Sequence, residues 1–373
     1  MRLNNINLIE ECCCGCGACY AVCPKDAIYS NRGLRGEPLY KANDLCINCG
    51  KCIEICPTRN VYFNKEIKTF YRAIARNRDV LRKSSSGGIA YEMARKTLIE
   101  GGIIYAAMWD VGKQAVRHGR IDSLDKLSHM QGSKYIHSKI DKVIYLRIVE
   151  DVKKTKVLFI GTPCQVSAVK NLVGNNGNLI SIDLVCHGVP SAEMWEKQLK
   201  QLKMAPIESI SFRRGLEFIL DLKDSEGNLY LKKGYDNPYY SLYLSFSSLR
   251  ESCYSCVYAQ RKRVGDLTIG DFVENGKGYS CVLPNSDVGQ MHIVRTTFSV
   301  EYEERNVELL NENDALNRPT PRNEKIDVFT NRYNKHGLYF AYYRTFYKFA
   351  MKRIIRKMVG DKIYYDIVNH LKK

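Results

Sequence analysis

Eight of the fifteen cysteines fall into two runs of one spacing. Cys13, Cys16, Cys19 and Cys23 precede Pro24, and Cys46, Cys49, Cys52 and Cys56 precede Pro57. Both runs read C-x2-C-x2-C-x3-C-P, a spacing whose chemistry is iron–sulfur ligation. A cubane 4Fe–4S cluster needs four thiolates converging from different sides. The C-x2-C-x2-C loop wraps three corners of the cube, and in this pattern the last cysteine of each run serves the other cluster. The spacing therefore predicts one cluster on Cys13, Cys16, Cys19 and Cys56 and a second on Cys46, Cys49, Cys52 and Cys23. Zinc is the alternative, since Cys-x2-Cys pairs also build zinc ribbons. Such sites close on two pairs, which eight cysteines with two trailing prolines fit poorly.

The two runs are an internal duplication at a constant offset of 33 residues, and it continues past the prolines. Ala27-Ile28-Tyr29 has its counterpart in Asn60-Val61-Tyr62, a short apolar stretch suited to covering a cluster. The arrangement resembles a bacterial-type ferredoxin, which implies that the chain moves electrons.

At 373 residues the chain is much longer than such a module and has room for one or two further domains with a real core. Cysteine abundance in a chain of this length, with no apolar leader at its N-terminus, points to a reducing cytoplasm. The longest purely apolar run, Ile103 to Trp109, falls far short of the ~20 residues that span a bilayer. The expectation is a soluble or at most peripheral protein. A formal charge of +17 invites nucleic-acid binding. That sum counts cysteines as neutral, however, and anionic clusters lower it. A solvated basic surface, or an acidic partner such as a small ferredoxin, accounts for the excess equally well, and no nucleic-acid partner is expected.

Several elements must position the rest of the chemistry. A polar helix is expected over Glu66 to Lys83, then Ser84-Ser85-Ser86-Gly87-Gly88 opening an amphipathic helix from Ile89 to about Glu100. Strand patterns follow at Ile103–Met108, Val157–Ile160, Leu179–Val185, Ile207–Phe212 and Leu267–Ile269. Phe218–Leu222 and Leu229–Lys233 flank the turn-like Asp224–Asn228 and read as a hairpin. Helices are expected at Gln165–Val173 and Ala192–Lys203. The fold class is α+β: an N-terminal ferredoxin-type module over residues 1–65, a mixed α/β domain over 66–330, and a basic helical tail over 331–373.

Four more cysteines lie at the ends of these elements. Cys164 follows the strand Val157–Ile160, Cys186 follows Leu179–Val185, and Cys253 and Cys256 form a Cys-x2-Cys pair ahead of Leu267. Strand ends on one edge of a sheet can bring distant residues together, so the four are candidates for a third metal site. Isolated buried thiols are the alternative that spacing leaves open.

These residues also carry a family resemblance. Pro163-Cys164-Gln165, Val185-Cys186, Cys253-x2-Cys256 and Gly265-Asp266-Leu267-Thr268-Ile269-Gly270-Asp271 resemble the beta subunit of coenzyme F420 hydrogenases and dehydrogenases. So do Ser86-Gly87-Gly88 and Gly132-Ser133-Lys134-Tyr135. The likeness covers roughly residues 82 to 290, in matching order. It implies a flavoprotein domain with FAD beside a third 4Fe–4S cluster held by Cys164, Cys186, Cys253 and Cys256. Cys12, Cys14 and Cys281 are then left over as bystanders. It also implies flavin contacts at Ser85, Ser86, Gly87, Gly88, Ser133, Lys134, Tyr135, Asp266 and Asp271. Two departures stand out. Many relatives have Gly-Asp-Phe-Trp-Gly where this chain has Gly270-Asp271-Phe272-Val273-Glu274. The segment Asp236 to Tyr240, with Tyr243, Phe246 and Arg250, resembles a bacterial branch associated with surface-polysaccharide loci.

The flavin expectation has its own chemistry. A helix opened by serines and glycines offers free N–H groups and a favourable dipole to a pyrophosphate; an ordinary serine N-cap is the plainer alternative. No GxGxxG is present, so a dinucleotide site of Rossmann type has no support. Lys134 is the candidate to sit by the flavin ring and stabilise its anionic reduced form, and His187 the candidate proton donor. A surface lysine and a structurally bonded histidine are the respective alternatives. The tyrosines around Tyr239 suit either a lid or a packed core. In the tail, Arg344, Lys348, Lys352 and Arg356 recur every four positions beside Tyr347, Met351, Ile354, Ile355 and Met358. Such a face can lie on an anionic membrane or dock a partner, and covering the protein's own core is its commoner use.

Two functions from different classes fit these residues. One is an FAD- and 4Fe–4S-dependent oxidoreductase exchanging hydride with a small-molecule substrate and single electrons with an external redox partner. The other is a non-catalytic electron-transfer subunit that docks a separate catalytic partner.

Overall fold

The computed structural model describes residues 4–347, 351 and 358–360. The N-terminal module holds two short helices, α1 (Ala18–Val22) and α2 (Lys51–Glu54), and the antiparallel pair β1 (Ile28–Arg32) and β2 (Pro38–Ala42). β3 (Thr69–Ala75) and α3 (Arg78–Arg82) lead into α4 (Ile89–Ile99) and the hairpin β4 (Ile103–Asp110) and β5 (Ala115–Ile121). α5 (Lys142–Val152), β6 (Val157–Gly161), α6 (Pro163–Val173) and β7 (Leu179–Leu184) come next.

A long insertion follows β7. It carries α7 (Ala192–Leu202), a separate sheet of β8 (Ile207–Arg214), β9 (Glu217–Asp224) and β10 (Leu229–Lys233), and α8 (Pro238–Leu244). The chain returns through β11 (Leu267–Glu274), β12 (Lys277–Pro284), α9 (Asp287–Thr296) and β13 (Val300–Asn306), and continues to α10 (Ile326–His336) and α11 (Leu338–Thr345).

The main sheet has eight strands in the order β13-β3-β12-β11-β7-β6-β4-β5. Its centre, β4-β6-β7-β11, is parallel, and the flanking strands are antiparallel. Parallel strands are stable only when both faces are covered, and alternate residues here serve two cores. Ile104, Leu158, Ile160, Ile180 and Ile182 face α4 and α9. Ile103, Tyr105, Val157, Phe159 and Leu179 face α5, α6 and the N-terminal module, whose Ile6, Ala18, Ile28 and Ile55 join the same core. The module is thus welded to the large domain rather than tethered to it.

The expected helix over Glu66–Lys83 is a correction. β3 takes Thr69–Ala75 of that span, with Phe70, Ala73 and Ala75 buried, and only Arg78–Arg82 is helical, as α3. Arg72 hides the strand period, yet it serves the sheet by pairing with Glu303 of the adjacent β13 and with Glu274 at the end of β11, one strand further on. The boundary at 330/331 also shifts: α10 runs across it, and Phe329, Tyr333 and Tyr342 pack into the aromatic core of Trp195, Phe212 and Tyr239. The tail's Lys348, Lys352, Ile354, Ile355 and Arg356 lie outside the described residues. Among those described, no helix is long and apolar enough to cross a membrane.

Candidate metal centres

The duplicated runs fold as duplicated loops. Gly17 and Gly50, 33 residues apart, each open a short helix with φ near +80° (83° and 80°), a left-handed turn that side chains disfavour. A Cβ at Gly17 would meet the Tyr40 hydroxyl at 2.9 Å, and one at Gly50 would meet Asn4 Nδ2 at 2.7 Å. The turns point the cysteines into two recesses. One is lined by Cys13, Cys16, Cys19 and Cys56, with Cys14, Ile6, Tyr40 and Pro57 around them. The other is lined by Cys23, Cys46, Cys49 and Cys52, with Ala27 and Ile28 as its apolar cover. The grouping is crossed, each run lending its last cysteine to the other recess.

Donors surround the sulfurs. The Ala27 N–H donates to Cys23 Sγ at 3.3 Å, the Asn48 N–H to Cys46 Sγ at 3.5 Å, and Thr58 Oγ1 lies 3.2 Å from Cys56 Sγ. Such bonds favour thiolate and tune cluster potentials. Among the described residues no three His, Cys, Asp or Glu side chains close on a single ion. Cys12, Cys16 and Cys19 also satisfy C-x3-C-x2-C, the spacing of radical enzymes that use S-adenosylmethionine. Cys12, however, is exposed, while Cys16 and Cys19 share a recess with Cys13 and Cys56.

The second cysteine set gathers beyond the carboxyl ends of parallel strands, where α/β sheets place their ligands. Cys164 lies in the first turn of α6, which Pro163 and a capping box of Thr162 and Gln165 start sharply after β6. Cys186 follows β7. Cys253 and Cys256 come from the loop ahead of β11. Burial, then the nearby Cys253 and Cys164 thiols, push Cys186 up, and burial with Cys164 and Cys253 pushes Cys256 up to about 12. The four therefore share one neighbourhood. Gly188, at φ 114°, leaves room there: a Cβ would sit 2.8 Å from that of Cys253. The Gly188 N–H donates to Cys186 Sγ at 3.3 Å, and Thr162 Oγ1 lies 3.3 Å from Cys164 Sγ.

Two residues that sequence reasoning undervalued stand at this site. Cys14, expected as a bystander, is buried in the lining of the first recess, and the Cys16 and Cys164 thiols both influence its own, which puts it near both cysteine sets. Arg250 is buried, donates from Nη1 to the Cys14 carbonyl, and feels the charge of Cys253, Cys164, Cys14 and Cys186. Its Nε has no partner among the described residues. A buried guanidinium needs an anion, and four iron-bound thiolates would supply one. This donor set fits a 4Fe–4S cluster.

The segments expected at a flavin also meet, in part. Ser85 Oγ accepts from the Ser133 N–H at 2.7 Å, joining the Ser84–Gly88 turn to Gly132–Tyr135. Ser86 instead pairs with Ser280 Oγ at 2.9 Å, and the Gly87 N–H donates to the same oxygen at 3.1 Å. Gly88 caps α4 with a left-handed φ of 78°. Lys134 turns back on its own loop, donating to the carbonyls of Gln131 (2.9 Å), Gly132 (3.1 Å) and Met130 (3.3 Å), and burial lowers it to about 8. Gln131 Nε2, in this loop, is buried with no partner among the described residues, the one orphaned donor there that a ligand could use.

The other candidates have structural work. Tyr135 stacks on Tyr243 at 4.4 Å and accepts from Arg213, which pairs with Asp271 at 2.9 Å. Asp266 accepts from the Ser181 N–H and hydroxyl and from Ser286, fastening β7 to the start of α9. The His187 ring stacks on Phe246 at 5.2 Å, and burial lowers its pKa. Tyr239 and Tyr240 are fully buried, so this part of the tyrosine cluster is core rather than lid. Phe272, in the segment departing from the family pattern, packs edge-on against Phe70.

Comparison with known proteins places two domains on this chain. Residues 5–69 match a 4Fe–4S dicluster domain, and residues 154–308 match the C-terminal region of the coenzyme F420 hydrogenase/dehydrogenase beta subunit. No curated protein matches. One similar solved structure is a chain of the F420-reducing NiFe hydrogenase complex from Methanosarcina barkeri. It is 16% identical, with a TM-score of 0.46, over 81% of this chain and 96% of that one.

Proposed function

We propose that this chain, whose residues 5–69 match a 4Fe–4S dicluster domain and whose residues 154–308 match the C-terminal region of the coenzyme F420 hydrogenase/dehydrogenase beta subunit, is an iron–sulfur electron-transfer protein of that type and a three-cluster flavoprotein oxidoreductase. Its ligands are Cys13, Cys16, Cys19 and Cys56; Cys46, Cys49, Cys52 and Cys23; and Cys164, Cys186, Cys253 and Cys256. What carries the reading is Cys14. It lines the first recess and its thiol is influenced by both Cys16 and Cys164, so a cluster in that recess would have the second cysteine set close by.

The three sites then run from surface to interior. At the outer one Cys49 is exposed, and Leu45 and Ile47, 65% and 58% exposed, offer an apolar landing point for a redox partner. That partner is a small ferredoxin or a catalytic subunit. A flavin, when bound, interconverts a two-electron hydride and single electrons, which is why one chain would combine it with clusters. Ser85 and Ser133 hold its loop in shape, Gln131 Nε2 is free to donate to it, and Lys134 presents a positive charge at neutral pH. The setting is a reducing cytoplasm, which keeps so many thiols available.

The test is anaerobic purification followed by iron, acid-labile sulfide and released flavin per chain. About 12 iron atoms with one FAD is the expected result, as three 4Fe–4S clusters require. About 8 iron atoms without flavin would overturn both the third cluster and the flavin, leaving the two-cluster electron-transfer subunit.

A further inference from the structure

Arg250 presents a charge problem that the dicluster module alone does not solve. The residue is 4% exposed. Its backbone is fixed on both sides, the N–H donating to the Val189 carbonyl at 3.1 Å and the carbonyl accepting from the Cys253 N–H at 3.0 Å. The side chain crosses to the N-terminal module and donates through Nη1 to the Cys14 carbonyl. Gly15 makes the approach possible, since a Cβ there would lie 3.4 Å from Nη1 and 2.9 Å from Pro38. Among the described residues no carboxylate forms an ion pair with Arg250, and Nε is left without a partner. Groups near it able to carry negative charge include the thiols of Cys253, whose N–H bonds the Arg250 carbonyl, and of Cys164, Cys14 and Cys186, each of which favours the charged guanidinium.

We infer that Arg250 is the electrostatic clamp of the third cluster, a positioning residue that makes this cluster easier to reduce and ties it to the loop of its neighbour at Cys13, Cys16, Cys19 and Cys56. The inference rests on the third-cluster reading above. Its physics is charge balance. One-electron reduction makes a cluster more negative without forming or breaking a bond, and a desolvated guanidinium beside it stabilises that added charge. Net charge and hydrogen bonds to sulfur are among the factors that set cluster potentials. Arginine suits the role because its planar fork can reach Cys14 with one nitrogen while Nε stays free for a sulfur. The outer site at Cys23, Cys46, Cys49 and Cys52 lies beyond this contact, so its potential is independent of Arg250.

The test is a potentiometric titration of the full, cluster-loaded chain with dithionite as the one-electron donor, followed by electron paramagnetic resonance. Wild type is compared with Arg250→Met and Arg250→Lys. In Arg250→Met the third cluster becomes harder to reduce by about tenfold or more in its equilibrium constant, a fall of about 59 mV for one electron, while the outer cluster keeps its midpoint. Arg250→Lys, which retains the charge, restores most of the shift. About 12 iron atoms per chain with three unmoved midpoints in Arg250→Met overturns the clamp alone. About 8 iron atoms in wild type overturns the third cluster first, and the clamp with it. Should Arg250→Met purify without the third cluster, Arg250→Lys decides: wild-type iron and a near-normal midpoint support the clamp, and iron loss there too overturns a role based on charge.

Discussion

Arg263 and Asp183 form a wholly buried ion pair, Nη2 to Oδ1 at 2.8 Å, with both carboxylate oxygens fully engaged. Oδ1 also accepts from Thr268 Oγ1 at 2.7 Å, and Oδ2 from the N–H groups of Val264 and Gly265 at 3.1 and 2.8 Å. Arg263 Nη1 donates to the Tyr258 carbonyl at 2.8 Å. Asp183 stands three residues before Cys186 and Arg263 seven after Cys256, so the pair pins the Cys253–Cys256 loop to the strand that presents Cys186.

Breaking one side of such a pair leaves an uncompensated buried charge. Asp183→Asn is therefore expected to cost about 3–5 kcal/mol of stability. It also releases the third cluster, taking iron from about 12 to about 8 atoms per chain while the dicluster module keeps its own. Thermal unfolding and iron analysis of the same preparation check both. Full iron retention in a folded Asp183→Asn would show that the loop is held elsewhere.

Single serine substitutions separate the cysteine sets. Cys186→Ser is expected to lose about four irons and the innermost spectral signal. Cys23→Ser loses the outer cluster, because the crossed grouping makes Cys23 a ligand of the Cys46–Cys52 site. Cys14→Ala is expected to keep all the iron, since each site retains its four proposed ligands although Cys14 also lines the first recess. Loss of about four irons in Cys14→Ala would instead make Cys14 a ligand.

A buried histidine gives the fold an acid limit that owes nothing to iron. His118 donates from Nε2 to the Ile160 carbonyl at 3.1 Å, accepts at Nδ1 from the Ser138 hydroxyl at 2.6 Å, and stacks on Phe159. Burial lowers it to about 4. Above pH 6.5 the ring is neutral in both folded and unfolded chains and contributes no pH dependence. As pH falls from about 6.5 to 4, the unfolded chain takes up a proton that the folded one refuses, and stability declines by about 3 kcal/mol. His118→Gln should be less stable at pH 7 but lack this slope. Melting curves of both proteins at pH 7, 6 and 5 isolate it, because acid loss of clusters is common to the two. Parallel slopes would remove His118 as the cause.

Local signals made much of this molecule readable. The cysteine spacing anticipated the crossed lining of the two recesses, and the short apolar runs at Val157 and Leu179 marked two strands, whose parallel pairing the spacing did not announce. The strand ends at Cys164 and Cys186 gave the gathering place for the second set. Other features depend on partners far along the chain. β3 pairs with β12 and β13 more than two hundred residues later, and its arginine is explained by Glu274 and Glu303. Cys14 looked redundant within a cysteine-rich loop until Cys164 was placed against it. Arg250 stood in a segment noted only for its resemblance to a bacterial branch, and nothing in its spacing showed that it is buried beside the second cysteine set. Burial and long-range charge pairing are not periodic, so no spacing announces them.

Gly87 tests whether the Ser-Gly-Gly turn exists for a ligand or for the fold. A Cβ at Gly87 would lie 2.3 Å from the Ala73 carbonyl oxygen and 2.8 Å from the Ser280 N, backbone atoms of two strands that have little freedom to retreat. At Gly132, in the facing segment, a Cβ would meet nothing within 4 Å, and the cost is only that of its φ of 78°. Gly132→Ala is thus expected to cost about 1–2 kcal/mol, and Gly87→Ala at least the 1–3 kcal/mol typical of overpacking. If the turn serves the fold alone, Gly87→Ala lowers stability without altering the response to FAD, and whatever rise saturating FAD gives the wild type is kept by both folded variants. If the turn cradles FAD, added FAD raises the wild-type and Gly132→Ala melting temperatures, and a folded Gly87→Ala fails to respond. Thermal shift with and without FAD on all three proteins distinguishes the cases, because ligand binding to the folded state stabilises it by mass action.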